Sequence, residues 1–189
     1  MSGREEMGPQ RPVEDPYAPL EVLDLLEIGP PEIGPSSLGV PYRVVQKGGA
    51  ETTLVLHLRW EEEVFVPGEP ESENLAAMVG AQAALNYGLF ASRLVFRGRF
   101  DRADRRLLTD MAENTAREIL VNRILTDNPY LVGPAVGLPR ALRDRYCRAR
   151  LEFPDEELPG SVSWDTDPER FLVLSSGGKE SLLGYGLLD

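Results

Sequence analysis

The sequence predicts an α+β domain, an antiparallel hairpin or small sheet with two main helices, followed by the first β-loop-α unit of a truncated α/β nucleotide-binding domain. Three observations carry this expectation. Residues 42–46 and 52–60 read as strands joined by a Gly-Gly turn. Two stretches with helical spacing, 73–90 and 102–125, flank a short apolar run at 93–97. Near the end, Phe171, Leu172, Val173 and Leu174 run straight into Ser175, Ser176, Gly177 and Gly178. Four consecutive apolar residues suit a strand buried on both faces of a parallel sheet.

The 189 residues carry a net charge of −11, which argues against nucleic acid or an anionic membrane surface as partner. No apolar run approaches the roughly 20 residues of a membrane span. Cys147 is the single cysteine, so no internal disulfide forms and a reducing compartment is expected. The N-terminus is polar and acidic, without a signal-peptide pattern, and the default expectation is a cytoplasmic protein.

In chain order, residues 1–39 are expected to be mostly disordered, being rich in Pro, Gly and Glu, with one apolar-acidic segment at 20–28 reading as a strand or a helical turn. Residues 40–153 form the α+β domain. In 52–60, Leu54, Leu56 and Leu58 alternate with Thr53, Val55, His57 and Arg59, the pattern of a half-buried antiparallel strand. Residues 64–66 suggest a third strand. Ser72 reads as the N-cap of the first helix, with Leu75, Met78, Val79, Gln82 and Leu85 at helical spacing. The residues between them, Ala76, Ala77, Gly80, Ala81, Ala83 and Ala84, make that helix thin enough to seat a close neighbour. Asp101 caps the second helix, whose face reads Leu108, Met111, Ala112, Thr115, Ile119 and Asn122. A short basic helix is expected at 141–148 and a strand at 151–154. Residues 154–169 read as an acidic linker, and 170–189 as the start of the α/β domain.

A strand, a Gly/Ser loop and a helix N-terminus together make an anion site, because free N–H groups and the positive end of the helix dipole converge there. The loop is not a Walker A motif: Gly178 and Lys179 are followed by Glu180, and Val173 stands where the first glycine belongs. No Gly-x-Gly-x-x-Gly occurs. The run Ser176, Gly177, Gly178, Lys179, Glu180, Ser181 instead resembles the Ser-Gly-Gly-x-Asp-Ser pyrophosphate loop (PP-loop) of the N-type ATP pyrophosphatases. The resemblance implies ATP and Mg2+ as cofactors, AMP and pyrophosphate as products, and adenylation of a substrate oxygen. It assigns phosphate binding to Ser176, Gly177, Gly178 and Ser181, charge to Lys179, and the place of the family's Asp to Glu180, one methylene longer.

The order of parts is similar to that of the UDP-N-acetylmuramoyl-L-alanyl-L-glutamate epimerases of peptidoglycan precursor synthesis. The hairpin, the helix ending in Asn86, Tyr87 and Gly88, the strand at 93–97, the helix ending in Asn122 and Arg123, and the loop carry the similarity. It implies a small-molecule carboxylate substrate, a UDP-muramoyl dipeptide, activated as its adenylate before α-proton exchange. A doubly wound domain needs on the order of a hundred residues. The chain is therefore expected to be the N-terminal part of a longer enzyme, inactive without the missing C-terminal α/β domain. The alternative is a non-catalytic acidic α+β protein-interaction module, in which Ser-Gly-Gly is only a turn and the thin helix seats a partner helix.

Elsewhere, His57 is expected to serve a surface or packing role, since no second histidine or cysteine cluster accompanies it. Cys147 reads as a passive thiol, with a depressed pKa beside Arg143, Arg145 and Arg148 as the alternative. Those arginines suit either an anionic substrate or the acidic stretch at 155–157. Glu61, Glu62 and Glu63 read as a solvated face, since consecutive residues point apart.

Overall fold

The computed structural model describes residues 15–140 and 143–160. It contains a six-stranded mixed sheet with two α-helices on one face. The predicted α+β class is therefore found. The expected phosphate loop, with the strand and helix expected on either side of it, falls outside the described residues.

β1 (Leu23–Ile28), β2 (Glu32–Gly34), β3 (Ser37–Gln46) and β4 (Glu51–Arg59) come first. β3 is the organising strand. One of its edges pairs with β4 along an unbroken antiparallel register, from Ser37 opposite Arg59 to Val45 opposite Glu51. Its other edge pairs with β1 at one end, Ile28 opposite Tyr42, and with β2 at the other, Ile33 opposite Leu38. The Gln46 N–H donates to the Ala50 carbonyl at 2.8 Å and closes the hairpin at the predicted Gly-Gly turn. β3 thus extends five residues further back than its expected start at 42. Residues 20–39, counted with the disordered segment, supply β1 and β2. The reason is pairing: Leu23, Leu26 and Ile28 are buried once β1 has neighbours on both sides.

The second half converts the hairpin into a mixed sheet. β5 (Arg93–Phe96) runs parallel to β1, with Leu26 opposite Leu94 and Ile28 opposite Phe96. β6 (Arg150–Glu152) runs parallel to β5, with Leu94 opposite Leu151. This is the strand expected at 151–154. Leu26, Leu94 and Phe96 are buried side by side, each worth roughly 2 kcal/mol relative to exposure.

α1 (Pro70–Ala81) and α2 (Arg102–Ile119) cover that apolar face. α1 presents its small residues to the sheet, not the predicted Leu75, Met78 and Val79 stripe, which is only partly buried. Ala76, Ala77, Gly80 and Ala81 are buried, and a Cβ on Gly80 would stand 2.9 Å from Val40 Cγ1. The Tyr42 hydroxyl donates to the Gly80 carbonyl across the same gap. The thin face is therefore filled by the chain's own sheet and is closed to a partner helix. Ser72 is not the N-cap; Glu69 is, and Ser72 Oγ accepts from the Val66 N–H at 2.9 Å. After Ala81 the helix tightens into a 3-10 turn, Gln82–Tyr87.

Asp101 caps α2 as predicted, and the cap is reciprocal. Its carboxylate accepts from the Asp104 N–H at 2.8 Å, while Asp104 accepts from the Asp101 N–H at 2.9 Å. The buried stripe is Leu108, Ala112, Ala116, Leu120 and Ile124, a strict four-residue repeat. Asn122 is exposed, because it stands two residues from both Leu120 and Ile124 and so faces away from the buried stripe. The strand expected at 64–66 does not form. Phe65 is buried there instead, edge-on to Trp60, and the Val64 and Phe65 N–H groups bond the Pro35 carbonyl. The basic helix expected at 141–148 is absent among its described residues, 143–148, which run without helical structure.

Candidate functional site

β1, β5 and β6 point the same way, so their C-terminal ends share one edge of the sheet. Each strand leaves that edge through a turn-forming sequence: Gly29, Pro30 and Pro31 after β1; Arg97, Gly98 and Arg99 after β5; Pro154 and Asp155 after β6. A cavity of about 640 Å³ opens between these segments and the start of α1. In sheets with parallel strands, ligands characteristically bind at this edge. Its apolar lining includes Pro30, Ile33 and Leu158, and its polar lining Glu73, Arg99 and Asp155.

Asp155 builds the rim. One carboxylate oxygen accepts from Arg97 at 3.1 Å and the other from the Gly98 N–H at 2.7 Å. Gly98 has φ +133°, and a Cβ there would stand 3.0 Å from Ala77 Cβ, so the turn requires glycine. Arg105, from α2, donates to the Asp155 carbonyl at 3.1 Å and lies 3.6 Å from Glu157. Arg99 is paired with Glu73. The acidic stretch at 155–157 is thus held by Arg97 and Arg105, not by Arg143, Arg145 and Arg148. Just beyond it, the Leu158 N–H donates to the Phe100 carbonyl at 3.2 Å; the rest of the expected linker, from residue 161, lies outside the described residues.

The three later arginines go elsewhere. Arg143 and Arg148 both pair with Asp15, and Arg148 also reaches Glu21 at 3.4 Å. Arg145 lies 4.0 Å from Glu113. Burial acts to raise the Asp15 carboxyl, but the Tyr17 N–H, Arg148 and Arg143 outweigh it and hold it below its ordinary value. The Glu113 carboxylate accepts from the N–H groups of Tyr146 and Cys147, at 2.5 and 2.9 Å, which pins this segment against α2.

Cys147 is 4% exposed, with Sγ 3.6 Å from the Gly88 and Ala149 carbonyls. Burial pushes its thiol up from the ordinary value, opposite to the depression its arginine neighbours suggest in sequence. It is a packed thiol. His57 is exposed on β4, and Glu61, Glu62 and Glu63 are exposed beyond it. No group of three metal-ligating side chains occurs among the described residues. No described helix is long and apolar enough to cross a membrane.

Ser176, Gly177, Gly178, Lys179, Glu180 and Ser181, the predicted phosphate ligands, lie outside the described residues. The cavity itself escaped the sequence reading. Its signal was three turn sequences, each after a strand; their convergence depends on which strands are parallel. No protein-family model matches the chain, and neither characterised proteins nor solved structures give a match.

Proposed function

We propose that this chain is the N-terminal part of an ATP-dependent, carboxylate-activating enzyme that forms AMP and pyrophosphate. The observation that carries the reading is the sequence from Phe171 to Ser181: an apolar strand pattern running into Ser-Gly-Gly-Lys-Glu-Ser. The cavity beside 155–159 supports it, since it lies at the carboxyl ends of the parallel strands, the place where open α/β sheets take their ligands, and is lined by the stretch that precedes the Ser-Gly-Gly run in sequence.

In this reading a substrate carboxylate oxygen attacks the α-phosphorus of ATP. The bond to the β-phosphate oxygen breaks and pyrophosphate leaves, giving an acyl adenylate. Ser176, Gly177, Gly178 and Ser181 donate to the phosphates, Lys179 adds positive charge, and Glu180 supplies the loop's carboxylate. Mg2+ supplies further charge neutralisation when bound. For a UDP-muramoyl dipeptide ending in glutamate, the adenylate makes the α-carbon a stronger acid. The proton leaves from one face, returns on the other, and hydrolysis of the adenylate releases AMP and the epimerised acid. The interaction-module alternative rested on an open small-residue face of α1, and that face is buried against β3.

The test uses protein expressed from the complete reading frame. Incubated with ATP, Mg2+ and UDP-muramoyl-L-alanyl-L-glutamate in deuterated water, it should release AMP and pyrophosphate and exchange the glutamyl α-proton. Changing Ser176→Ala and Ser181→Ala together should lower AMP formation about a hundredfold. ADP as the product, or unchanged AMP formation in the double variant, would overturn the assignment. AMP formation without exchange would retain the adenylation and reject the epimerase.

A further inference from the structure

We infer that β4 is a self-association edge, on which a second copy of this chain adds its own β4 antiparallel to form one continuous sheet. The argument begins with which groups the strand leaves open. Gln46 donates to Ala50, and Trp60 donates to the Ser36 carbonyl at 3.0 Å. In an antiparallel ladder the residues bonded to the neighbour alternate with residues facing away. In β4 the even-numbered residues therefore bond β3, while Glu51, Thr53, Val55, His57 and Arg59 turn their N–H and C=O groups to the outer edge. No other strand pairs with that edge among the described residues.

Proteins normally protect a long open edge with proline, lysine, a bulge or a short strand. β4 has none of these. It spans nine residues, contains neither Pro nor Lys, and keeps its register to β3 without a bulge. Leu54 is 60% exposed and Val55 47% exposed. An edge of this length, apolar at its centre and charged only at its two ends, calls for a neighbour.

The strand's own sequence identifies that neighbour. Two antiparallel copies related by a twofold axis at Val55 set Glu51 opposite Arg59, Thr53 opposite His57, and Val55 opposite itself. All of these are outward-facing residues, so the backbone ladder forms in this register. On the helix-bearing face, Leu54 meets Leu56 of the partner. Shifting the axis by two residues shortens the ladder and loses both charge pairs: an axis at Thr53 leaves Arg59 opposite residue 47, in the hairpin turn, and an axis at His57 leaves Glu51 opposite residue 63, past the other end of the strand. Like charges directly opposite destabilise a sheet, whereas opposite charges support it. Arg59 has no ion-pair partner among the described residues, and Glu51 is held only by Arg43 on the same sheet face. The interface is isologous, so each charge pair occurs twice.

The experiment is sedimentation equilibrium on the full chain up to roughly 500 µM, where even weak edge-to-edge association populates a dimer. The wild type should sediment as a dimer and Val55→Lys, which opposes two ammonium groups across the axis, as a monomer with an unchanged circular dichroism spectrum. Glu51→Arg or Arg59→Glu alone should each weaken dimerisation about tenfold, and the double swap should restore it to within about threefold of wild type. This rescue separates pairing from any loss of fold. A wild type that stays monomeric throughout would overturn the proposal. A dimer indifferent to Val55→Lys and to the single charge swaps would overturn it equally, by placing the contact elsewhere.

Discussion

The Asn74 side-chain amide donates to Asp104 Oδ2 at 2.6 Å and to the Arg99 carbonyl at 3.1 Å. One buried amide on α1 thereby fastens the reciprocal cap of α2 and the turn that forms the cavity floor after β5. Two helices and a loop, separated in sequence, share one polar joint.

Replacing Asn74 with Ala should cost about 1–2 kcal/mol, because the Arg99 carbonyl loses its side-chain donor in a half-dry site. Asn74→Asp should cost more at neutral pH, since it sets a second carboxylate against Asp104. Urea unfolding of both variants checks the order: Asp below Ala, Ala below wild type.

Gly80→Ala sets two effects against each other. Alanine favours the helix by about 1 kcal/mol. Its Cβ, however, would sit 2.9 Å from Val40 Cγ1, inside a contact already closed by the Tyr42 hydroxyl bond. Overpacking should win, with a net loss of roughly 1–2 kcal/mol. Val40→Ala in the same chain should recover part of that loss, although Val40→Ala alone destabilises. A double-mutant cycle by thermal melting reads the coupling.

Cys147 should resist modification in the folded protein, because it is buried and its thiol is pushed up. Glu113→Ala removes both acceptors that hold the Tyr146 and Cys147 N–H groups to α2. The variant should react with an aromatic disulfide reagent at least about tenfold faster at pH 8. Equal rates would mean that packing alone holds the segment.

Asp15 and Glu21 share Arg148 and should mark the acid limb of stability. Burial acts to raise both carboxyls. The Tyr17 N–H, Arg148 and Arg143 outweigh it at Asp15, and Lys47, Ser92 and Arg148 do so at Glu21. Both are therefore lower in the folded chain than in the unfolded one. Their contribution is fully present above the unfolded values, roughly 4 to 4.5, and is lost as pH falls through the lowered folded values. Tm followed from neutral pH into acid should drop across that window, and the drop should be shallower in Asp15→Asn, Glu21→Gln.

Much of this architecture is legible from local pattern. The hairpin follows from alternation on either side of Gly48 and Gly49, the α2 start from Asp101, and β5 from an apolar run between arginines. The errors fall where a long-range neighbour decides. Leu23, Leu26 and Ile28 look like scattered apolar residues in a Pro-rich leader until β3 and β5 flank them. The large residues of α1 look like its buried stripe, yet β3 lies so close that only Ala and Gly fit. Residues 141–148 read as a short basic helix, but Glu113 captures the backbone of Tyr146 and Cys147. For the candidate site, each turn could be read in isolation, while the cavity between them could not.

The sequence by itself determined the α+β class, the acidic character, the hairpin and the α2 cap, because each rests on residues within a few positions of one another. Only the tertiary structure decided that β1, β5 and β6 are parallel, that their C-terminal ends enclose a cavity rimmed by Asp155, and that the small face of α1 belongs to β3. These depend on strand partners as far apart as Leu26 and Leu94, chosen by which faces can be buried together, and no local pattern encodes that choice.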